Sequence, residues 1–157
     1  MVLSRNSFII PPMKLTEDSR FAIRSSFPGT GDGLFAVKKI HKGDFILEYT
    51  GERISSVDAE AMVDARYLFE INDTWTINGP VPANVAGYIN HGCDPNCEAE
   101  IDESDRIMIH AIKDIESGEE LSFDYGKEYF DEFLKPHGCK CASCIKGLTK
   151  NREVIPQ

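Results

Sequence analysis

Three of the five cysteines fall in one short run, Cys139-Lys140-Cys141-Ala142-Ser143-Cys144, a C-x-C-x-x-C spacing. Three thiols this close are costly to bury as thiols, but as thiolates they can converge on one tetrahedral Zn²⁺. A fourth ligand must come from elsewhere, and Cys93, Cys97 and His137 are the candidates. The N-terminus carries no basic stretch followed by an apolar core and a small-residue cleavage site, so no secretory leader is expected. Clustered cysteines in that setting point to metal in a reducing compartment rather than to disulfides.

A second constellation lies mid-chain, where the polar pair Asn90-His91 follows an apolar run and leads into Gly92-Cys93-Asp94-Pro95-Asn96-Cys97. A bare Asn-His pair is ordinarily a hydrogen-bonded turn. The stretch Gly118-Glu119-Glu120-Leu121-Ser122-Phe123-Asp124-Tyr125-Gly126 adds weight to it: a turn, a short strand and a tyrosine against a glycine make a pocket edge. Tyr49, in Glu48-Tyr49-Thr50-Gly51-Glu52, is a similar tyrosine at a strand end. Tyrosines of this kind also serve as plain half-buried β residues. Gly31-Asp32-Gly33 closes a loop that starts at Pro28. No helix follows it, so it is not a dinucleotide fingerprint, only a place where backbone can approach a ligand closely.

The elements that must carry these residues read as mostly β. Runs rich in β-branched and aromatic residues, cut by Gly, Asp, Asn and Pro, predict strands at Phe21–Ser26, Leu34–Val37, Phe45–Tyr49, Tyr67–Ile71, Thr74–Ile77, Ile107–Ala111 and Leu121–Asp124. Asn72-Asp73 and Asn78-Gly79 read as turns. Ile9-Ile10-Pro11-Pro12 is a candidate edge strand. Ser55-Ser56-Val57-Asp58 has capping-box spacing and leads into a helix over Ala59–Ala65. An amphipathic helix is predicted over Lys127–Lys135, with Tyr129, Phe130, Phe133 and Leu134 on one side and Pro136 as its stop.

A chain of 157 residues, 41% hydrophobic and 27% charged, has the size and composition of one globular domain with a real core. No apolar run approaches the roughly 18 residues of a membrane span. The formal charge of −9 disfavours nucleic acid and favours basic partners, and it also serves solubility. We therefore expect no direct nucleic-acid or membrane binding.

Taken together, Gly31-x-Gly33-Leu34-Phe35-Ala36, Glu48-Tyr49-x-Gly51-Glu52, Ile89-Asn90-His91-x-Cys93-x-Pro95-Asn96 and Gly118-Glu119-Glu120-Leu121-x-Phe123-Asp124-Tyr125-Gly126 resemble, in order and relative spacing, the SET-domain lysine methyltransferases. The cysteine tail resembles their post-SET segment, and the likeness runs from about Phe21 to Gly147. It implies a mainly β fold with short helices, a β-clip of small curled sheets with a C-terminal pseudoknot. It divides the chain into an N-terminal segment 1–20, a SET domain 21–135, a post-SET zinc segment 136–150 and a tail 151–157, with no pre-SET region. The family resemblance also assigns roles. Gly31, Asp32, Gly33 and Leu34, with Tyr67, Asn90 and His91, would hold S-adenosylmethionine. Tyr125 would be the catalytic tyrosine, with Tyr49 and Phe123 lining the lysine channel. Cys93 would complete a zinc site with Cys139, Cys141 and Cys144, leaving Cys97 unligated. Three positions depart from the family pattern: Asp32 replaces an aromatic residue, Gly87 an arginine and Gly92 a serine.

The expected activity is methylation of a lysine-containing protein, a histone or other basic tail, to the di- or trimethyl state. A zinc-stabilised peptide-binding module of the same fold, weak in catalysis, is the alternative. The expected location is intracellular, nuclear in a eukaryote and cytoplasmic in a bacterium.

Overall fold

The computed structural model describes residues 13–27 and 29–147, so the candidate edge strand at Ile9–Pro12 lies outside the described residues. The chain runs through β1 (Lys14–Leu15), β2 (Phe21–Ser25), β3 (Asp32–Ala36), β4 (Phe45–Tyr49), β5 (Glu52–Ser55), α1 (Ser56–Glu60), β6 (Leu68–Glu70) and β7 (Trp75–Asn78). A 3₁₀ turn (Val85–Tyr88) leads into β8 (Asn90–His91), β9 (Cys97–Ile101), β10 (Ile107–Ala111) and β11 (Ser122–Phe123). After these come α2 (Lys127–Tyr129), further helical turns to His137, and α3 (Ala142–Ile145). The strands form small sheets in the orders β1-β2-β3, β4-β10-β9 and β5-β7-β6, all antiparallel. A two-stranded parallel pair joins β8 to β11.

Alternation explains most of this. On β10, Ile107, Ile109 and Ala111 are buried while Met108 and His110 between them are only partly covered, so one face of the strand serves the core. Phe21, Leu34, Ile40, Ile46, Ile89, Ile109, Ile115 and Leu121 are all at most 1% exposed and form one core on which the small sheets converge. Each such side chain contributes roughly 1.5–3 kcal/mol on burial. The mainly β reading with short helices therefore agrees with the structure, and among the described residues no helix is long and apolar enough to cross a membrane.

The local departures have physical causes. The sequence does not announce β1, β5, β8 or β9. In β9, Glu98 and Glu100 stand at exposed positions of a sheet edge, where acidic side chains are tolerated although they weaken the strand signal. The capping box is as expected: Ser55 Oγ accepts from the Asp58 amide at 3.1 Å. Its helix stops at Glu60, however, not Ala65. Only Ala59 of α1 is buried while Val57, Met62 and Val63 are exposed, so propensity without a buried face sustains little more than one turn. The Lys127–Lys135 helix is one turn of α followed by a widened π turn, Phe130–Leu134, and a 3₁₀ turn, Lys135–His137. Pro136 does not stop it. It sits at the start of the last turn, where its lack of an N–H costs nothing, and the chain leaves helical space at Gly138, φ 75°.

Candidate active site

One cleft of about 1050 Å³ is walled by the loop at Gly29–Asp32, by β8, by the helical run and by the start of the cysteine tail. Of the residues expected to hold a cofactor, Gly31, Asp32, Tyr67, Asn90 and His91 line it. Gly33 and Leu34 do not: Leu34 is fully buried in the core, and its carbonyl accepts from the Leu121 amide at 2.8 Å. The expected catalytic tyrosine, Tyr125, and the expected channel residues Tyr49 and Phe123 line the same cleft.

The parallel pairing of β8 with β11 sets Asn90 beside Ser122 and His91 beside Phe123. That register explains why two stretches some thirty residues apart make one site. Asn90 Nδ2 donates to the Asp32 carbonyl at 3.1 Å and to Glu120 Oε1 at 2.9 Å. Glu120 also accepts from Ser26 Oγ at 2.7 Å. A Cβ at Gly33 would overlap Glu120 Oε1, so the glycine is what admits that carboxylate. Asn96 ties the crossing from behind, its Nδ2 donating to the Glu120 carbonyl and its Oδ1 accepting from the Ser122 amide, both at 2.9 Å. Gly92, where the family pattern has serine, would bring a Cβ within 2.5 Å of Ser122 Oγ, and that hydroxyl fills the space instead. Gly87 lines the cleft.

Tyr125 is half-buried against the core, whereas Tyr49 is 7% exposed. The Tyr125 hydroxyl donates to the Ile89 carbonyl at 2.5 Å, and the Tyr125 amide donates to His91 Nδ1 at 3.1 Å. Tyr49 donates to the Tyr67 carbonyl at 2.8 Å. Burial holds the Tyr125 phenol well above its ordinary pKa and raises that of Tyr49 to about 12, so both are neutral hydroxyls at physiological pH. Around them the rings touch in sequence. Tyr49 lies 5.4 Å from Phe69, Phe69 6.2 Å from Phe123, Phe123 4.9 Å from Tyr125, and Tyr125 4.9 Å from Tyr129. The outcome is an aromatic-walled recess whose lining includes the Tyr49 and Tyr125 side chains, a shape suited to an alkylamine. The sequence reading missed Phe69, Tyr129, Glu120 and Ser26 as site residues. Tyr129 read only as part of an apolar helix face, and the Ser26–Glu120 contact spans 94 positions with no local signal.

Four of the five cysteines gather beside the cleft, whose wall includes Cys139 and Cys141. The Sγ atoms of Cys93, Cys139, Cys141 and Cys144 all lie within 4.8 Å of one another. Cys93 Sγ is 3.7 Å from Cys139 Sγ and 3.6 Å from Cys144 Sγ. A tetrahedron with arms of about 2.3 Å has edges of about 3.8 Å, so the four thiols fit one metal ion. Cys97 is fully buried in β9, outside this group, its thiol donating to Asn96 Oδ1 at 3.4 Å. His137 lies on the cleft wall and is likewise outside the group. Burial raises the Cys93 thiol pKa strongly and that of Cys139 to about 11. At Cys141 burial also acts upward, but hydrogen bonds from Ser143 and from backbone amides outweigh it and bring the value to about 6. A bound cation favours the thiolate at all four.

Comparison with known proteins agrees with this geometry. A histone-lysine N-methyltransferase, H3 lysine-4 specific, of Neurospora crassa is 39% identical over 104 residues, covering 59% of this chain and 8% of its own. Histone-lysine N-methyltransferase trithorax of Drosophila virilis is 35% identical over 128 residues, 75% of this chain and 3% of its own. This chain thus spans a small part of the length of either relative. An active polycomb repressive complex 2 in the stimulated state superposes with a TM-score of 0.62 at 34% identity, over 69% of this chain and 15% of the other. ctPRC2 in an autoinhibited conformation bound to S-adenosylmethionine gives 0.57 at 37% identity, over 65% and 14%. The SET domain itself matches residues 31–126, and the chain belongs to the SET-domain family.

Proposed function

We propose that this chain is an S-adenosylmethionine-dependent protein-lysine N-methyltransferase that acts on a basic, histone-like tail and adds two or three methyl groups. The observation that carries it is Tyr125, a neutral, half-buried hydroxyl hydrogen-bonded to Ile89 in an aromatic recess that shares one cleft with Asn90. The relatives' names as histone-lysine methyltransferases and the S-adenosylmethionine in a solved neighbour support the same reading. We assign the SET domain to residues 21–135 and the post-SET segment to 136–150, with Zn²⁺ on Cys93, Cys139, Cys141 and Cys144.

When bound, S-adenosylmethionine supplies an electrophilic methyl group on a sulfonium, and the protein's part is alignment and electrostatics. Gly31, Asp32, Tyr67, Asn90 and the backbone at His91 hold the cofactor, while Leu34 and Gly33 support that wall from behind. Tyr49, Phe69, Phe123 and Tyr129 strip water from the incoming lysine, which lowers its pKa and favours the free amine. Tyr125, its proton held by the Ile89 carbonyl, turns oxygen lone pairs toward the amine and the methyl group and acts as an aligning acceptor. With its pKa raised by burial it is not a general base. Phe123 offers no hydroxyl to hold a water beside the amine, which leaves room for a methylated amine to turn and react again. The net charge of −9 attracts a Lys/Arg-rich substrate.

Calorimetry with S-adenosylmethionine, followed by mass spectrometry of lysine peptides from histone tails, tests the proposal. Tyr125→Phe should lower kcat on the order of a hundredfold, the scale of removing one transition-state hydrogen-bonding group, with cofactor affinity kept. Near-normal turnover would move the catalytic role to Tyr49. Peptide binding without any methyl transfer by the natural chain would leave the binding-module reading standing.

A further inference from the structure

His91 joins two sites that the proposed function treats separately. Its side chain is 4% exposed and lies between the cysteine group and the aromatic recess. Nδ1 accepts the Tyr125 amide proton at 3.1 Å, so Nδ1 is the unprotonated nitrogen and the ring hydrogen belongs on Nε2. Nε2 lies 3.3 Å from Cys93 Sγ, within N–H···S range. The ring is held edge-on to Tyr125 at 5.5 Å between centroids and lies 5.6 Å from Phe130 of the π turn. Packing on both sides leaves the imidazole little freedom to rotate.

We propose that His91 is a positioning residue that couples the four-thiolate centre to Tyr125. Its Nε2–H donates to the Cys93 thiolate, which tunes that ligand's donor strength, and its Nδ1 fixes the backbone from which the Tyr125 phenol projects. The coupling is structural and bidirectional. A metal ion that pins Cys93 Sγ also pins the imidazole, and the pinned imidazole holds the Tyr125 amide. Hydrogen-bond partners behind a metal ligand usually set its orientation and basicity in this way. The residue thus has a side-chain role distinct from any backbone contact with the cofactor. The inference rests on the metal-binding and methyltransferase readings above.

The two nitrogens can be separated by substitution. The shorter amide of His91→Asn would offer an acceptor near Nδ1 but no donor at Nε2, whereas His91→Gln reaches the Nε2 position with a donor and gives up the Nδ1 acceptor. The probe is Co²⁺ loaded into the intact chain in place of zinc, read through its thiolate-to-cobalt charge-transfer band. His91→Asn should bind Co²⁺ about tenfold more weakly, the usual scale for losing an outer partner of a ligand, with the band shifted to lower energy. At saturating metal its kcat should also fall severalfold, because the amide that replaces the ring is no longer tied to Cys93. His91→Gln should keep the band and the Co²⁺ affinity, with kcat down about tenfold at unchanged KM. A His91→Asn variant whose band and Co²⁺ affinity are unchanged, or whose metal defect leaves kcat untouched, would overturn the coupling, as would a His91→Gln variant with unaltered kcat. A natural chain that takes up no Co²⁺ would instead overturn the metal site, and one that binds Co²⁺ but transfers no methyl would overturn the enzyme reading. In that last case the band and affinity changes alone still decide whether His91 donates to Cys93.

Discussion

Gly33→Ala is the substitution whose effect the structure defines most sharply. The added methyl would overlap Glu120 Oε1 and stand 2.9 Å from its carboxyl carbon, where ordinary contact begins at 3.4 Å, so the carboxylate must give way. It cannot do so and keep both the Asn90 bond at 2.9 Å and the Ser26 bond at 2.7 Å. A hydrogen bond to a charged group contributes about 1.5–3 kcal/mol, and the Gly→Ala change returns about 0.4–1 kcal/mol by restricting the unfolded chain. With one bond lost, a net loss of about 1–2 kcal/mol follows, read as a lower urea midpoint at unchanged slope. Asn90, left with the Asp32 carbonyl alone, should also bind S-adenosylmethionine about tenfold more weakly, equivalent to about 1.4 kcal/mol. Gly43→Ala is the control: Gly43 has φ 91° with nothing within 4 Å, so it should lower stability by about 1–2 kcal/mol through backbone conformation alone and leave cofactor affinity intact. In a Glu120→Ala background the Gly33→Ala penalty should vanish. An unchanged midpoint and affinity, or a penalty that persists without Glu120, would refute the steric account.

Three further outcomes are expected. Elemental analysis should find one Zn²⁺ per chain, lost in Cys93→Ser and retained in Cys97→Ser, since Cys97 lies buried in β9 away from the other four thiols. Phe123→Tyr should move the end product toward monomethyllysine with little loss in the first transfer, followed by mass spectrometry of a peptide driven to completion; a natural chain that stops at one methyl group would show that Phe123 does not set the limit. Stability should also fall at high pH. Tyr49 has its pKa raised by burial from 10 to about 12, so its contribution is intact below pH 10 and is lost between pH 10 and 12. Two pKa units amount to roughly 2–3 kcal/mol at most. Tyr125 shifts the same way and adds to the slope, so alkaline unfolding of Tyr49→Phe should be shallower than that of the natural chain but not flat.

The strands that read clearly from the sequence are those whose burial is one-sided and local. Phe45–Tyr49 and Ile107–Ala111 agree residue for residue: Ile107, Ile109 and Ala111 alternate into the core, and Ile46 and Tyr49 of the paired strand meet the same core. The misread elements depend on partners distant in sequence. β8 is two residues long and exists as a strand only because Ser122 and Phe123 lie beside it. The helical run after Gly126 carries the right apolar residues but a different winding. A regular α-helix is the local expectation, yet the π turn at Phe130–Leu134 accompanies the placement of Phe130 against His91 and of Tyr129 against Tyr125.

The same division runs through the candidate site. Cysteines, the Asn-His pair and the strand-end tyrosines announce themselves by residue type, because few other side chains bind metal or present a hydroxyl at the end of an apolar strand. What holds them is less visible, since a supporting contact can join any two parts of the chain. Gly33 is the instructive case. By spacing it is one half of a G-x-G pair and reads as a place for a ligand to approach. In the fold it admits the Glu120 carboxylate, which in turn holds Asn90 toward the cleft. Gly92 and Gly79 work alike, with the Ser122 and Tyr49 hydroxyls standing where a Cβ would be. A glycine in such a motif therefore marks close approach without naming what approaches. Here, at all three positions, it is one of the protein's own polar side chains, so a glycine substitution at this site should disturb cofactor or lysine binding through the displaced side chain rather than by filling the cleft.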